Sequence, residues 1–295
     1  MHDDRDPGRE RHSGVSAPLD GGTCASGRSS RHVKRYRWPV VIIFTLRPAA
    51  KECAMLEIEN LTVSIEGRQL LKDVSLSIEE GETRMLFGEN GSGKTSLLMA
   101  IMGLGAYKVE SGRIFFKGKD ITDLPTNERA GMGIGIMFQR PPTIRGLKVR
   151  QMLELIEDDG RSPDELAADL NFTDFLERDL NLGFSGGEIK RAELLQLMAQ
   201  DPDLVLLDEP ESGVDLVNID LIGNAIKQLL EKDHHIRGRH KSGLIITHSG
   251  HILDYVEADR GCVLVNKTIW CTGNPHEILQ GIRERGYEGC LTCQR

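Results

Sequence analysis

Residues 88–95 read Gly88-Glu89-Asn90-Gly91-Ser92-Gly93-Lys94-Thr95, and Ser96 follows. The stretch fits the pattern G-x-x-x-x-G-K-[S/T]. In that pattern the glycines let backbone N–H groups close around phosphate oxygens, the lysine reaches the outer phosphates, and the Ser/Thr hydroxyl ligates Mg2+. The flanks supply the required context: TRMLFG before it reads as a buried strand, and SLLMAIMG after it reads as a helix whose positive end faces the same anion. A glycine-rich turn without a ligand is the plain alternative, and it does not account for eight positions in a strand-loop-helix setting. The expected class is therefore α/β, with a phosphate-binding loop for ATP and Mg2+.

Working outward, DLVLLDEP is a continuous apolar run of the kind buried on both faces of a parallel sheet. It ends on Asp208-Glu209, two carboxylates at the carboxyl end of a strand, where phosphate ligands sit in open α/β sheets. Asp208 can hold Mg2+, directly or through water, and Glu209 can polarise an attacking water. Three further elements narrow the class. Gln139, within IGIMFQR, closes a strand at the edge of the helical insertion and can ligate Mg2+ or water. Ser185-Gly186-Gly187-Glu188 opens a helix through residue 199, so its N–H groups form a second anion site that wants a second ATP. His248, after LIIT, can donate to a γ-phosphate, although a lone histidine at a strand end also serves as ordinary capping.

The remainder predicts a mixed architecture. LEIENLTVSI and VSLSIEEG alternate as two antiparallel strands around a turn at Glu66-Gly67, and RIFFKGKDIT turns at Lys117-Gly118. Residues 148–182 carry apolar positions at helical spacing and predict an all-helical insertion, about 140–185. A helix at 216–231, the strand GLIITHS, the hairpin CVLVNKTIWCTG and a terminal helix HEILQGIRERG complete a domain spanning 55–295.

Residues 1–54, rich in Gly, Ser, Arg and Asp, have no period of 2 or 3.6 and read as a disordered tail or as sequence upstream of a start at Met55. A targeting signal is the sharper reading, from Arg31, Lys34, Arg35 and Arg37 before a short apolar run. The net charge is −8; the first 54 residues carry 10 basic and 6 acidic side chains, so the rest is near −12, with no basic stripe for nucleic acid. The run Trp38–Leu46 is about half the ~20 residues of a membrane-spanning helix. Six scattered cysteines suit a reducing, cytoplasmic setting better than a disulfide scaffold. Cys290 and Cys293 form a lone CxxC, read as exposed thiols rather than a metal site, and Cys262 and Cys271 as packing residues.

Together the phosphate loop, Gln139, the signature SGGE, Asp208-Glu209, the Ser212-Gly213-Val214-Asp215 loop and His248 resemble the ATP-binding cassette family over residues 55–289. The resemblance implies a P-loop ATPase with a mixed-sheet core, an antiparallel β subdomain and an α-helical subdomain. It also implies a transient head-to-tail dimer, in which Ser185 and its glycines close on the γ-phosphate bound by the other copy. Three departures from the transporter pattern look like the SufC-type ATPases of iron–sulfur cluster assembly. These are Ile65 where an adenine-stacking aromatic is usual, FSGGE followed by Ile189-Lys190-Arg191, and Glu211-Ser212-Gly213-Val214-Asp215 after Pro210. The opening MLEIENLTVSIEG, the segment FKGKDITDLPTNERAGMGI and the end of the last helix at Glu284–Tyr287 agree. That resemblance implies a SufB/SufD-type scaffold as partner; the alternative is the energy subunit of a membrane transporter.

Overall fold

The computed structural model describes residues 54–156, 160–287 and 289, all within one unit, Arg47–Arg295. The readings made for residues 1–53 and for Cys290 and Cys293 lie outside the described residues.

Strands β1 (Leu56–Ile65) and β2 (Arg68–Ile78) pair antiparallel, Leu56 opposite Ile78. The turn between them is the expected one: Glu66 and Gly67 both take positive φ, 48° and 78°, as a tight two-residue hairpin of the I′ type demands. Strand β4 (Lys108–Phe116) pairs with the other edge of β1, and a second turn of the same kind at Lys117-Gly118 leads into β5 (Lys119–Asp120), giving the order β2-β1-β4-β5.

The second sheet is mixed, with order β10-β9-β3-β8-β7-β6. Strands β3 (Thr83–Gly88), β6 (Ile134–Met137), β7 (Leu204–Asp208), β8 (Ser242–Ile246) and β9 (Arg260–Val265) run parallel, and β10 (Thr268–Gly273) is antiparallel to β9. Every residue of β3, β7 and β8 is buried, which is why their middles, Met85–Phe87, Leu204–Leu207 and Leu244–Ile246, are apolar on both faces rather than alternating. The pleat divides their side chains between two cores. Leu86, Leu204, Leu206, Leu244 and Ile246 join helix α1 (Lys94–Met102) and the antiparallel sheet. Met85, Phe87, Val205, Leu207 and Ile245 face helices α5 (Gly186–Gln200) and α6 (Leu216–Leu229), with the insertion. Cys262 is fully buried in the first core, where burial pushes its thiol up to about 12, and Cys271 packs against the second.

Between β6 and α5 the structure departs from an all-helical insertion. It holds two short helices, α3 (Val149–Ile156) and α4 (Pro163–Asp169), and a 3-10 turn at Thr173–Phe175, with a strand-like bridge between Lys148 and Asp179. Helical spacing continues past α4, but the backbone breaks at Asn171 and Asn181, both at positive φ. Ser162 and Glu165 make a capping box that starts α4 afresh at Pro163. Helix α7 (Pro275–Arg285) ends the described fold. Among the described residues no helix is long and apolar enough to cross a membrane.

One side chain clamps the end of the phosphate-loop helix. Arg129, on helix α2 (Thr126–Gly131), is 2% exposed. It donates to Ala100 O at 2.8 Å and Ile101 O at 2.7 Å in the last turn of α1, and to Thr122 O and Leu124 O at 2.8 Å each. A cation satisfying the last carbonyls of a helix also opposes the negative end of its dipole. Burial lowers the guanidinium pKa, against the pull of Asp123 and Asp120.

Candidate functional site

The adjacent parallel strands β3, β8, β7 and β6 deliver their carboxyl ends to one edge of the sheet. That edge is where ligands bind in open α/β sheets. From β3 comes the loop 88–95, from β7 Asp208 and Glu209, from β8 Thr247 and His248, and from β6, two residues past its end, Gln139.

The loop is shaped by its glycines at two points. A Cβ on Gly88 would lie 2.5 Å from Leu264 O, and Gly93 sits at φ 111° with a Cβ position 2.8 Å from Leu71 Cδ2. Gly93 caps α1 with no side chain, so the first-turn N–H groups are not taken by a capping oxygen and can face phosphate. Ser92 Oγ is buried without a partner. Lys94 Nζ donates to Gly88 O at 2.7 Å and Glu89 O at 3.0 Å, holding its ammonium across the loop. Burial pulls its pKa below the usual value, against Glu209, Asp208 and Glu89.

Thr95 Oγ1 donates to Asp208 Oδ2 at 2.8 Å. Asp208 Oδ1 is buried with no partner, and burial raises the carboxyl pKa despite the Thr95 hydroxyl. A buried carboxylate oxygen with no donor, beside a threonine hydroxyl, is the arrangement a hard cation would complete. Among the described residues there is no cluster of three or more His, Cys, Asp or Glu that could hold a metal ion.

Glu209 accepts from Gln139 Nε2 at 2.6 Å through Oε2, and Oε1 lies 3.6 Å from His248 Nδ1. Its backbone is at φ 49°, left-handed for a residue with a Cβ, a conformation that costs about 1–3 kcal/mol and concentrates at functional positions. Asn90, Gly91, Gly93, Lys94, Thr95, Ser96, Gln139, Glu209 and His248 line a common cleft of about 460 Å³. Its remaining wall is Arg68 and Leu70, at the start of β2. Ile65, which stands where an adenine-stacking aromatic is usual, does not line the cleft, whereas Arg68 and Leu70, just past the turn at 66–67, do.

The signature residues Ser185, Gly186, Gly187 and Glu188 do not line this cleft. Ser185 caps α5 in a box with Glu188: Ser185 N donates to Glu188 Oε2 at 2.7 Å and Glu188 N to Ser185 Oγ at 3.4 Å. Gly186 lies against the 212–215 loop, where a Cβ would meet Gly213 O at 2.4 Å. The structure thus gathers four segments at the cleft and leaves the signature outside its lining.

Sequence reasoning missed two buried charges that tie the segments together. Lys190, 2% exposed on α5, points its ammonium at Phe138 O, Gln139 O and Asp208 O, at 3.3, 3.3 and 3.5 Å. Glu193, one helical turn on, accepts from Phe138 N at 3.2 Å, and burial pushes its carboxyl up to about 7. The only signal was their position within two turns of SGGE.

The model of the family described as "ABC transporter" matches residues 71–212. The "Probable ATP-dependent transporter ycf16" of Cyanidium caldarium is 35% identical over 255 residues, 81% of this chain and 97% of that protein. A "Probable ABC transporter ATP-binding protein" of Streptococcus pyogenes serotype M3 is 33% identical over 80% of this chain and 94% of its own length. Among solved structures, a nucleotide-free ATP-binding cassette from an ABC transporter superposes with a TM-score of 0.66 at 24% identity, covering 82% of this chain and all of that one. With the phosphate loop, the strand-end carboxylates and the signature in one fold, the chain belongs to the ATP-binding cassette ATPases and is an enzyme that binds and hydrolyses ATP.

Proposed function

We propose that this ATPase drives iron–sulfur cluster assembly in the SufC manner, passing an ATP-dependent shape change to a soluble SufB/SufD-type scaffold. The observation that carries the reading is the pair of segments around the catalytic residues, FSGGE with Ile189-Lys190-Arg191, and Glu211–Asp215 after Pro210. Residues 55–295 form the ATPase domain, with the insertion at about 140–185. A cytoplasmic setting follows from the same assignment.

In this reading the N–H groups of 88–96 and the Lys94 ammonium bind the phosphates of ATP. Thr95, Asp208 and Gln139 hold Mg2+, which supplies charge neutralisation at the outer phosphates. Glu209 orients and polarises the attacking water. His248 donates to the γ-phosphate and stabilises charge that develops there. Ser185, Gly186, Gly187 and Glu188 act on the nucleotide of a second copy in a transient head-to-tail dimer, which is why they stand outside the cleft of their own chain.

A second reading, the energy subunit of a membrane transporter, is favoured by the names of the relatives. Affinity purification at native expression level, without detergent, from soluble and membrane fractions separates the two. Recovery of a soluble scaffold that raises ATPase activity when added back supports cluster assembly. Recovery only with integral membrane subunits supports the transporter.

A further inference from the structure

Glu211 lies two residues past Glu209, is 8% exposed, and has no role in the chemistry above. Its Oε1 accepts from Thr247 Oγ1 and, at 3.1 Å, from Ser249 Oγ, the two residues on either side of His248. Each hydroxyl is in turn anchored to the following backbone: Gly250 N donates to Thr247 Oγ1 at 2.9 Å, and His251 N to Ser249 Oγ at 3.3 Å. One carboxylate oxygen therefore gathers the whole 247–251 turn. The imidazole it brackets has a side chain 48% exposed, and its approach to Glu209 is 3.6 Å, longer than a hydrogen bond. The backbone of 247–249 consequently decides where His248 points.

The arrangement is expensive for stability alone. Glu211 Oε2 is buried with no hydrogen-bond partner, and buried polar atoms are as a rule satisfied. Lys190 lies within electrostatic range, but its ammonium is bonded to carbonyl oxygens. A shorter or apolar side chain would remove the orphaned oxygen and with it the bracket on His248. Glu211 also begins the 211–215 segment that packs on Gly186 of the signature, so the bracket joins the His248 turn to the face a second copy would meet.

We propose that Glu211 is a positioning residue for ATP hydrolysis, setting the His248 turn through Thr247 and Ser249. The proposal rests on the reading of His248 as the γ-phosphate donor. Steady-state ATPase kinetics on Glu211→Ala, Glu211→Gln, His248→Ala and the Glu211→Ala/His248→Ala double variant test it, with thermal midpoints alongside. Glu211→Ala lowers kcat by on the order of ten- to a hundred-fold, the range for displacement of a catalytic group, and leaves KM for ATP nearly unchanged. Glu211→Gln, whose side-chain carbonyl can still accept both hydroxyls, recovers most of the loss. The double variant is no slower than His248→Ala, because the two changes remove the same interaction. Should Glu211→Ala fail to fold, the Thr247→Val/Ser249→Ala pair removes the same two hydroxyls and reproduces the kcat loss. Impaired His248→Ala beside unimpaired Glu211→Ala, or losses that multiply in the double variant, overturn the proposal and leave His248 in place. Full activity in His248→Ala removes both.

Discussion

The side-chain amide of Gln139 donates to Glu209 Oε2 at 2.6 Å, so the residue that closes β6 restrains the carboxylate that follows β7. The bond spans 70 residues of sequence and joins the start of the insertion to the strand-end acid. A carboxylate held this way is oriented, and the amide that holds it lines the same cleft as Thr95.

Gln139→Ala is expected to lower kcat by about ten-fold or more, the scale of losing one hydrogen bond to a charged group, worth about 1.5–3 kcal/mol. Nucleotide affinity measured calorimetrically in EDTA should change little, whereas affinity in Mg2+ should fall. An equal loss of affinity with and without Mg2+ would assign Gln139 to general packing of the cleft.

Glu193 gives the fold a pH signature. Burial lifts its carboxyl from 4.5 to about 7, against the Phe138 N–H, Lys190 and Gln196. Between those values the folded protein keeps a proton that the unfolded chain releases. The contribution is therefore fully present below about pH 4.5 and is lost as pH rises through about 7. Glu193→Gln keeps an acceptor for Phe138 N and removes the titration. Relative to the native protein it should gain up to about 3 kcal/mol on going from pH 5 to pH 8, an upper bound from one pKa unit being about 1.4 kcal/mol. Urea denaturation of both proteins at both pH values measures the difference, and a gap independent of pH would contradict it.

Arg129 should be a stability residue with a functional echo. Arg129→Met strips donors from four carbonyl oxygens, two of them at the end of α1. A loss of at least about 3 kcal/mol is expected, since buried groups left unsatisfied cost about 1–3 kcal/mol each. Arg129→Lys should recover only part of it, because an ammonium cannot reproduce the planar fork. Denaturant midpoints check both; a loss below about 0.5 kcal/mol, typical of an exposed site, would show the clamp to be incidental.

The contrast between Lys94 and Lys190 shows what the sequence could and could not disclose. Lys94 sits inside a contiguous eight-residue pattern whose chemistry is local, so its place between Gly88 and Thr95 was legible. Lys190 is bonded to carbonyls 18 to 52 residues away, and no local pattern encodes such partners. Helix α5 buries Lys190, Arg191 and Glu193 together with its leucines, so no polar stripe marks an outer face. Strands were readable wherever both faces are buried or a Glu-Gly or Lys-Gly turn forces a hairpin. In the insertion the helical character was readable but the breaks were not, because helical spacing persists through Asn171 and Asn181 while the backbone turns there.

The composite ATP site is tested most directly by sedimentation velocity on Glu209→Gln with Mg2+ and ATP, with Lys94→Ala as the reference for lost nucleotide binding. The account predicts that Glu209→Gln binds ATP, does not hydrolyse it, and sediments as a dimer with ATP but as a monomer with ADP, while Lys94→Ala stays monomeric. Undiminished turnover in Glu209→Gln would remove Glu209 from the chemistry, and a monomer that holds unhydrolysed ATP would contradict the head-to-tail site.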